Sequence, residues 1–115
     1  MVELKECLAG VEQQVETELL ITWAAVQRNI AGRDLSPTTH ARYVAAADRA
    51  QAAWTAWRAV ECREVTGFDW WGGSGAGVAV RSCMIETTAA RVRDLVSRYD
   101  LDAADTPLSF EVPGP

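Results

Sequence analysis

The chain reads as an all-α protein, a three-helix up-down-up bundle, and three observations predict it. Apolar residues recur every three or four positions through three long stretches. Alanine and charged residues dominate while β-branched runs are scarce, a composition that favours helices. The stretches are separated by short segments carrying glycine or Ser-Pro, the usual punctuation of helix ends. At 115 residues there is chain for one domain with a modest core, and a hydrophobic content of 49% argues against bulk disorder.

The first helix is predicted over residues 2 to 31. Leu4, Leu8, Val11, Val15, Leu19, Thr22, Val26 and Ile30 give it one apolar stripe. Glu3, Glu6, Glu12, Glu16 and Glu18 cluster toward its N-terminal half, where the helix dipole favours negative charge. Gly32 is the natural stop.

Ser36-Pro37 then signals a helix start, serine as N-cap and proline at the first helical position. The second helix should run from Pro37 to about Thr66, with Gly67 ending it, a rod roughly 45 Å long. Its expected core face is Tyr43, Ala47, Ala50, Trp54, Trp57 and either Val60 or the stem of Glu61. Gln51, Trp54, Arg58 and Cys62 are spaced to share one stripe, which suits either a packing face or a recognition face. His40, in the first turn, is expected in solvent.

Phe68 to Gly77 is rich in glycine and holds the adjacent Trp70 and Trp71, so it reads as a loop. The third helix follows from Val78 to about Tyr99, with Val78, Arg81, Ile85, Thr88, Val92, Leu95 and Tyr99 as its stripe and Arg81 the one polar surprise. The domain is therefore expected over 1–100. Residues 101–115, with Pro107, Pro113 and Pro115, have no helical period and read as a C-terminal tail whose default is a frayed end, with local docking of Leu108 and Phe110 the alternative.

Three cysteines cannot all pair within one chain. Cys62 near the end of helix two and Cys83 near the start of helix three look like a staple across the turn. Closing that loop of about 20 residues contributes roughly 3 kcal/mol when oxidised. An up-down-up bundle brings Cys7 to the same end. It is left free, bridged to a second copy of the chain, or parted from an upstream partner; a homodimer through Cys7 or through helix faces is one consequence.

Several function classes are disfavoured. A net charge of −5 argues against nucleic acid as partner and is compatible with a basic protein. No apolar run is long enough to span a bilayer. The opening MVELKECLAG does not read as a signal peptide. The protein is accordingly expected in the periplasm or secreted if a signal peptide has been trimmed from it, and otherwise in the cytoplasm. Three cysteines and one distant His40 make no metal-ligand spacing. GGSGAG lacks the preceding strand and following lysine of a phosphate loop. Without a nucleophile–base pair or a cofactor motif, no enzyme and no cofactor are expected.

The run AQAAWTAWRAVEC, then GGSGAG, then CMIETTAARVRDL resembles the lysozyme inhibitor LprI-like domain of bacterial envelope proteins. The positions that carry the resemblance are Gln51, Trp54, Trp57, Arg58, Glu61, Cys62, Gly72, Gly73, Ser74, Cys83, Thr87, Arg91 and Leu95, with Glu6-Cys7 and Trp23 matched more loosely. A fourth cysteine common upstream in that family is absent here, and Leu20 stands where the family typically has asparagine. The resemblance implies a small helical domain that binds and blocks a lysozyme-type muramidase in the envelope or outside the cell. The candidate partner-binding residues are Phe68, Asp69, Trp70, Trp71 and Ser74 of the loop, together with Arg58. An aromatic, hydrogen-bonding loop would serve as the plug of a sugar-binding cleft. The rival reading is a non-inhibitory helical interaction module of the envelope or cytoplasm; it would use helix faces and leave the loop aromatics packed as a lid.

Overall fold

The computed structural model describes residues 2–71 and 73–102, with side chains from Glu6 onward. From residue 103 the expected tail lies outside the described residues. Helix α1 covers Val2–Ala31, α2 Pro37–Ala59, a π-helical turn Val60–Val65, α3 Thr66–Asp69 and α4 Ala76–Arg98. Because α2, the π turn and α3 follow one another without a gap, they form a single rod, and the described residues make three rods with no strand. The long dimension is 54 Å against 27 and 22 Å for the other two.

Side-chain pairs set the directions. Arg81 at the start of α4 meets Glu12 on α1, while the Asn29 amide near the end of α1 donates to the Tyr99 carbonyl just past α4. These two helices are therefore parallel. Arg91 bonds Gln51 and Arg58 bonds Thr88, so α2 descends as α4 rises. The result is the up-down-up bundle that the sequence predicts.

The core follows from the stripes. Leu19, Val26, Ile30, Ala47, Val92 and Leu95 form the main buried cluster, with Trp23, Tyr43, Trp54 and Tyr99 packed around it. Val15, Ile85 and Ala89 continue it toward the start of α1, where Leu8 and Val11 close it. The polar surprise, Arg81, is accounted for by Glu12 at 3.4 Å.

Local chemistry sets the ends. Ser36 is extended (φ −60°, ψ 152°), and its Oγ accepts from the Thr39 amide at 3.2 Å, ahead of Pro37. At the end of α4, Leu101 N–H reaches Val96 O at 3.0 Å and Asp100 N–H reaches Ser97 O at 3.3 Å, the paired bonds of a Schellman turn. Asp100 takes the left-handed position with φ 49°, and Leu101 folds back onto the main core.

Three expectations for helix two need correction. It does not stop at Gly67, which lies inside α3. Both the backbone N–H and the hydroxyl of Thr66 reach Glu61 O, the hydroxyl at 3.0 Å, so one wider turn carries the helix through to Asp69. Phe68 and Asp69 are thus helical, the loop shortens, and α4 begins at Ala76 rather than Val78. Second, Ala50, Trp57 and Val60 are exposed rather than core-facing. Alpha1 and α4 pair closely, and α2 lies along their seam, so its covered side runs through Tyr43, Val44, Ala47, Gln51, Trp54, Arg58 and Cys62. Third, His40 is half-buried, not free in solvent.

Candidate functional site

The stripe of helix two that faces the seam is built around Trp54. Arg58 Cζ lies 4.8 Å and Arg91 Cζ 5.8 Å from the centroid of its ring. Arg91 Nε donates to Gln51 Oε1 at 3.0 Å, and its Nη1 meets Asp94 at 3.1 Å. Arg58 Nη1 pairs with Glu16 of α1 and donates to Thr88 Oγ1 at 2.8 Å. One guanidinium thus links all three rods. Its side chain is 11% exposed, so the structure places Arg58 in the seam, apart from the loop aromatics.

One turn further on, Cys62 is fully buried and joined to Cys83, with 5.4 Å between the Cα atoms. The staple ties the π turn to the first turns of α4. Thr87 Oγ1 supports it, donating to the Cys83 carbonyl at 2.7 Å and lying 3.7 Å from Cys62 Sγ. Cys7 is free and exposed. Its neighbour Leu8 lines a small hollow with Gly77, Val78 and Arg81, which puts Cys7 at the stapled end, as the topology predicts.

Beyond the staple the chain turns outward. Phe68 and Trp71 are 68% and 80% exposed, and their rings stack at 5.7 Å with 23° between planes. Trp70 is half exposed. A Cβ on Gly75 would come within 3.1 Å of its indole ring, so glycine there lets the ring lie on the loop backbone. The Gly73 amide donates to the Trp70 carbonyl at 2.9 Å and closes the turn. Asp69 and Ser74 are exposed beside these rings in the chain. Of the sequence-predicted site residues, Phe68, Asp69, Trp70, Trp71 and Ser74 come together at one end; Arg58 lies roughly 15 Å back along the helix.

The exposed Trp57, Val60 and Val65 precede Phe68 and Trp71 at intervals of three or five residues. Through an α-helix with one π turn, those intervals keep them near one side. The tip therefore continues as an apolar stripe down the outside of helix two. Sequence reasoning missed this extension because it assigned Trp57 and Val60 to the core. It also missed the opposite end, where Arg33 Nε and Nη2 hold Asn29 Oδ1 at 3.2 and 3.0 Å and the guanidinium covers Tyr43 and Tyr99 at 5.0 and 5.9 Å. The i, i+4 spacing of Asn29 and Arg33 was a local signal for half of that cluster; the tyrosines come from other helices and gave none.

Among the described residues, no three His, Cys, Asp or Glu side chains gather into a metal-holding group. No described helix is long and apolar enough to cross a membrane.

These features define a class, an all-α three-helix bundle with a disulfide at one end and aromatic side chains exposed beyond it. The chain belongs to the lysozyme inhibitor LprI family, whose family model matches residues 1–95. Neither a curated protein nor a solved structure matches it.

Proposed function

We infer that this domain acts by protein–protein contact, binding and blocking a lysozyme-type muramidase through its stapled aromatic tip. Family membership supports the activity class. The observation that carries the reading is the exposure of Phe68 and Trp71 as a stacked pair on a disulfide-anchored end. Large aromatic side chains on a pre-organised support lose little entropy on docking and are the usual anchors of an interface. Asp69 and Ser74 supply polar contacts at the rim, and Trp57 and Val60 extend the contact along the helix. Arg58 positions the supporting seam, since its charge is engaged with Glu16 and Thr88. A disulfide is retained in an oxidising compartment, which fits the envelope or the exterior of the cell. The functional unit is residues 1–100 together with Leu101, which packs on the main core, and the rest of 101–115 is appended.

The test is a cell-wall lysis assay with c-type lysozyme and increasing amounts of oxidised protein, paired with direct binding. Dose-dependent protection is expected. Trp71→Ala, at a site too exposed to disturb the core, should weaken binding by about 30-fold or more, the effect of losing an interface anchor of at least 2 kcal/mol. Folded protein that neither binds nor protects would remove the inhibitor reading.

The exposed Leu20 and Ile21 on α1 favour a second reading, a helical interaction module that uses that face, including as a homodimer. Leu20→Ala and Trp71→Ala separate the two, because each surface should respond to only one of them.

A further inference from the structure

At the end remote from the disulfide, α2 and α4 part to leave a groove of ≈470 Å³, a size usual for small-molecule sites. Its α2 wall is made of Ala46, Ala47 and Ala50, whose methyl groups are too short to fill the space between the helices. Trp23 from α1 and Leu95 from α4 complete the apolar lining.

The charge around it is one-sided. Arg42, Arg91 and Arg98 line the groove, and no Asp or Glu is among the described residues that do, in a chain of net charge −5. Arg91 is compensated by Asp94 at 3.1 Å. Arg42 and Arg98 are exposed and have no ion-pair partner among the described residues. Arg33 Cζ lies 5.0 and 5.9 Å from the ring centroids of Tyr43 and Tyr99, so these two groove-lining rings share one end. Arg42 and Arg98 each precede one of them in the chain, which brings both uncompensated guanidiniums to that end. Arg91, opposite Gln51, marks the other.

We propose that this groove binds a fatty-acid-like anion, a single carboxylate on a linear apolar chain. The carboxylate sits at the Arg42 and Arg98 end, where guanidinium forks match its two oxygens. The chain runs along the alanine wall toward Arg91. From Tyr99 to Arg91 the groove extends roughly 12 Å along α4, which suits a linear tail rather than a single ring. A neutral lipid would leave both guanidiniums without a counterpart, and a small inorganic anion would leave the apolar lining in water. The site does not depend on what the aromatic tip binds, since it lies at the opposite end of the bundle.

The test titrates the isotope-labelled full chain with decanoate, below its micelle concentration, and follows amide shifts by NMR. Saturable shifts over residues 39–50 and 91–99 are expected. Decanol, with the same tail and no charge, should bind about tenfold more weakly or less, and acetate should give no saturable shift. Arg42→Glu with Arg98→Glu, both at exposed positions, should weaken decanoate binding about tenfold, the sum of two lost charge contacts. Ala46→Leu with Ala50→Leu, also at exposed positions, fills the groove without entering the core and should abolish the groove shifts at an unchanged melting temperature. Decanol binding as tightly as decanoate would overturn the proposal. So would decanoate shifts that fail to saturate or that centre on residues 57–71, or a filled groove that binds decanoate as the parent does.

Discussion

Replacing Arg58 by alanine should destabilise the fold by about 3 kcal/mol, and the structure shows where that figure comes from. The hydrogen bond to buried Thr88 involves a charged donor, a type of bond that contributes roughly 1.5–3 kcal/mol. The cation–π contact with Trp54, in a largely desolvated setting, adds about 1 kcal/mol. The ion pair with Glu16 adds less, because that carboxylate is 38% exposed and water can replace its partner; about 0.5 kcal/mol is a fair share after screening. The sum is about 3–4.5 kcal/mol, and partial collapse of neighbours into the vacated space brings it toward the lower end. For a domain of this size the loss corresponds to a fall in Tm of about 12 °C. Thermal unfolding followed by far-ultraviolet circular dichroism, under oxidising conditions, reads it directly. Glu16→Gln is the contrasting control and should cost under about 1 kcal/mol. An Arg58→Ala protein that melts within about 2 °C of the parent would refute the seam as a structural junction. If that same protein lost partner binding, Arg58 would belong to the recognition surface instead.

Further outcomes follow from the same structure. Cys62→Ser with Cys83→Ser should cost about 3 kcal/mol by freeing a loop of about 20 residues in the unfolded chain, measured as a lower denaturant midpoint that added reductant reproduces in the parent. Asp100→Gly should stabilise the protein by about 0.5–1 kcal/mol, since the left-handed backbone at φ 49° suits glycine better; an unchanged or lower melting temperature would count against the Schellman turn. Leu95→Ala removes a buried side chain from the main core and should cost about 2–5 kcal/mol, whereas Leu20→Ala on the exposed face of α1 should stay within about 0.5 kcal/mol, both by chemical denaturation.

The elements most legible in the sequence are those governed by local rules. The buried Val15, Leu19, Thr22, Val26 and Ile30 were all on the predicted stripe of helix one, because a 3.6-residue period leaves the apolar face in view. Ser36-Pro37 named the start of α2, since an N-cap needs only its own neighbours. The pairing of Cys62 with Cys83 was readable from two helix ends meeting across one turn. Phe68, Asp69, Trp70, Trp71 and Ser74 share one end of the bundle because they are close in the chain, whereas Arg58 lies in the seam; a role in binding rests on experiment.

Period alone could not choose the inner edge of helix two. Trp57 and Arg58 lie three and four residues after Trp54, on opposite sides of it by roughly 100° in total, so either could turn inward. Hydrophobicity favours the tryptophan. The bundle selects the arginine, because α1 presents Glu16 and α4 presents Thr88 on that side. The π turn decides the rest: its wider winding carries the helix past Gly67 and leaves Phe68 in solvent. By itself the sequence determined three helices, their order and the staple, all of which depend on neighbours within a few turns. Only the tertiary structure decided which side of helix two is covered and which aromatics stay exposed, because those outcomes depend on partners 30 to 42 residues away in the chain.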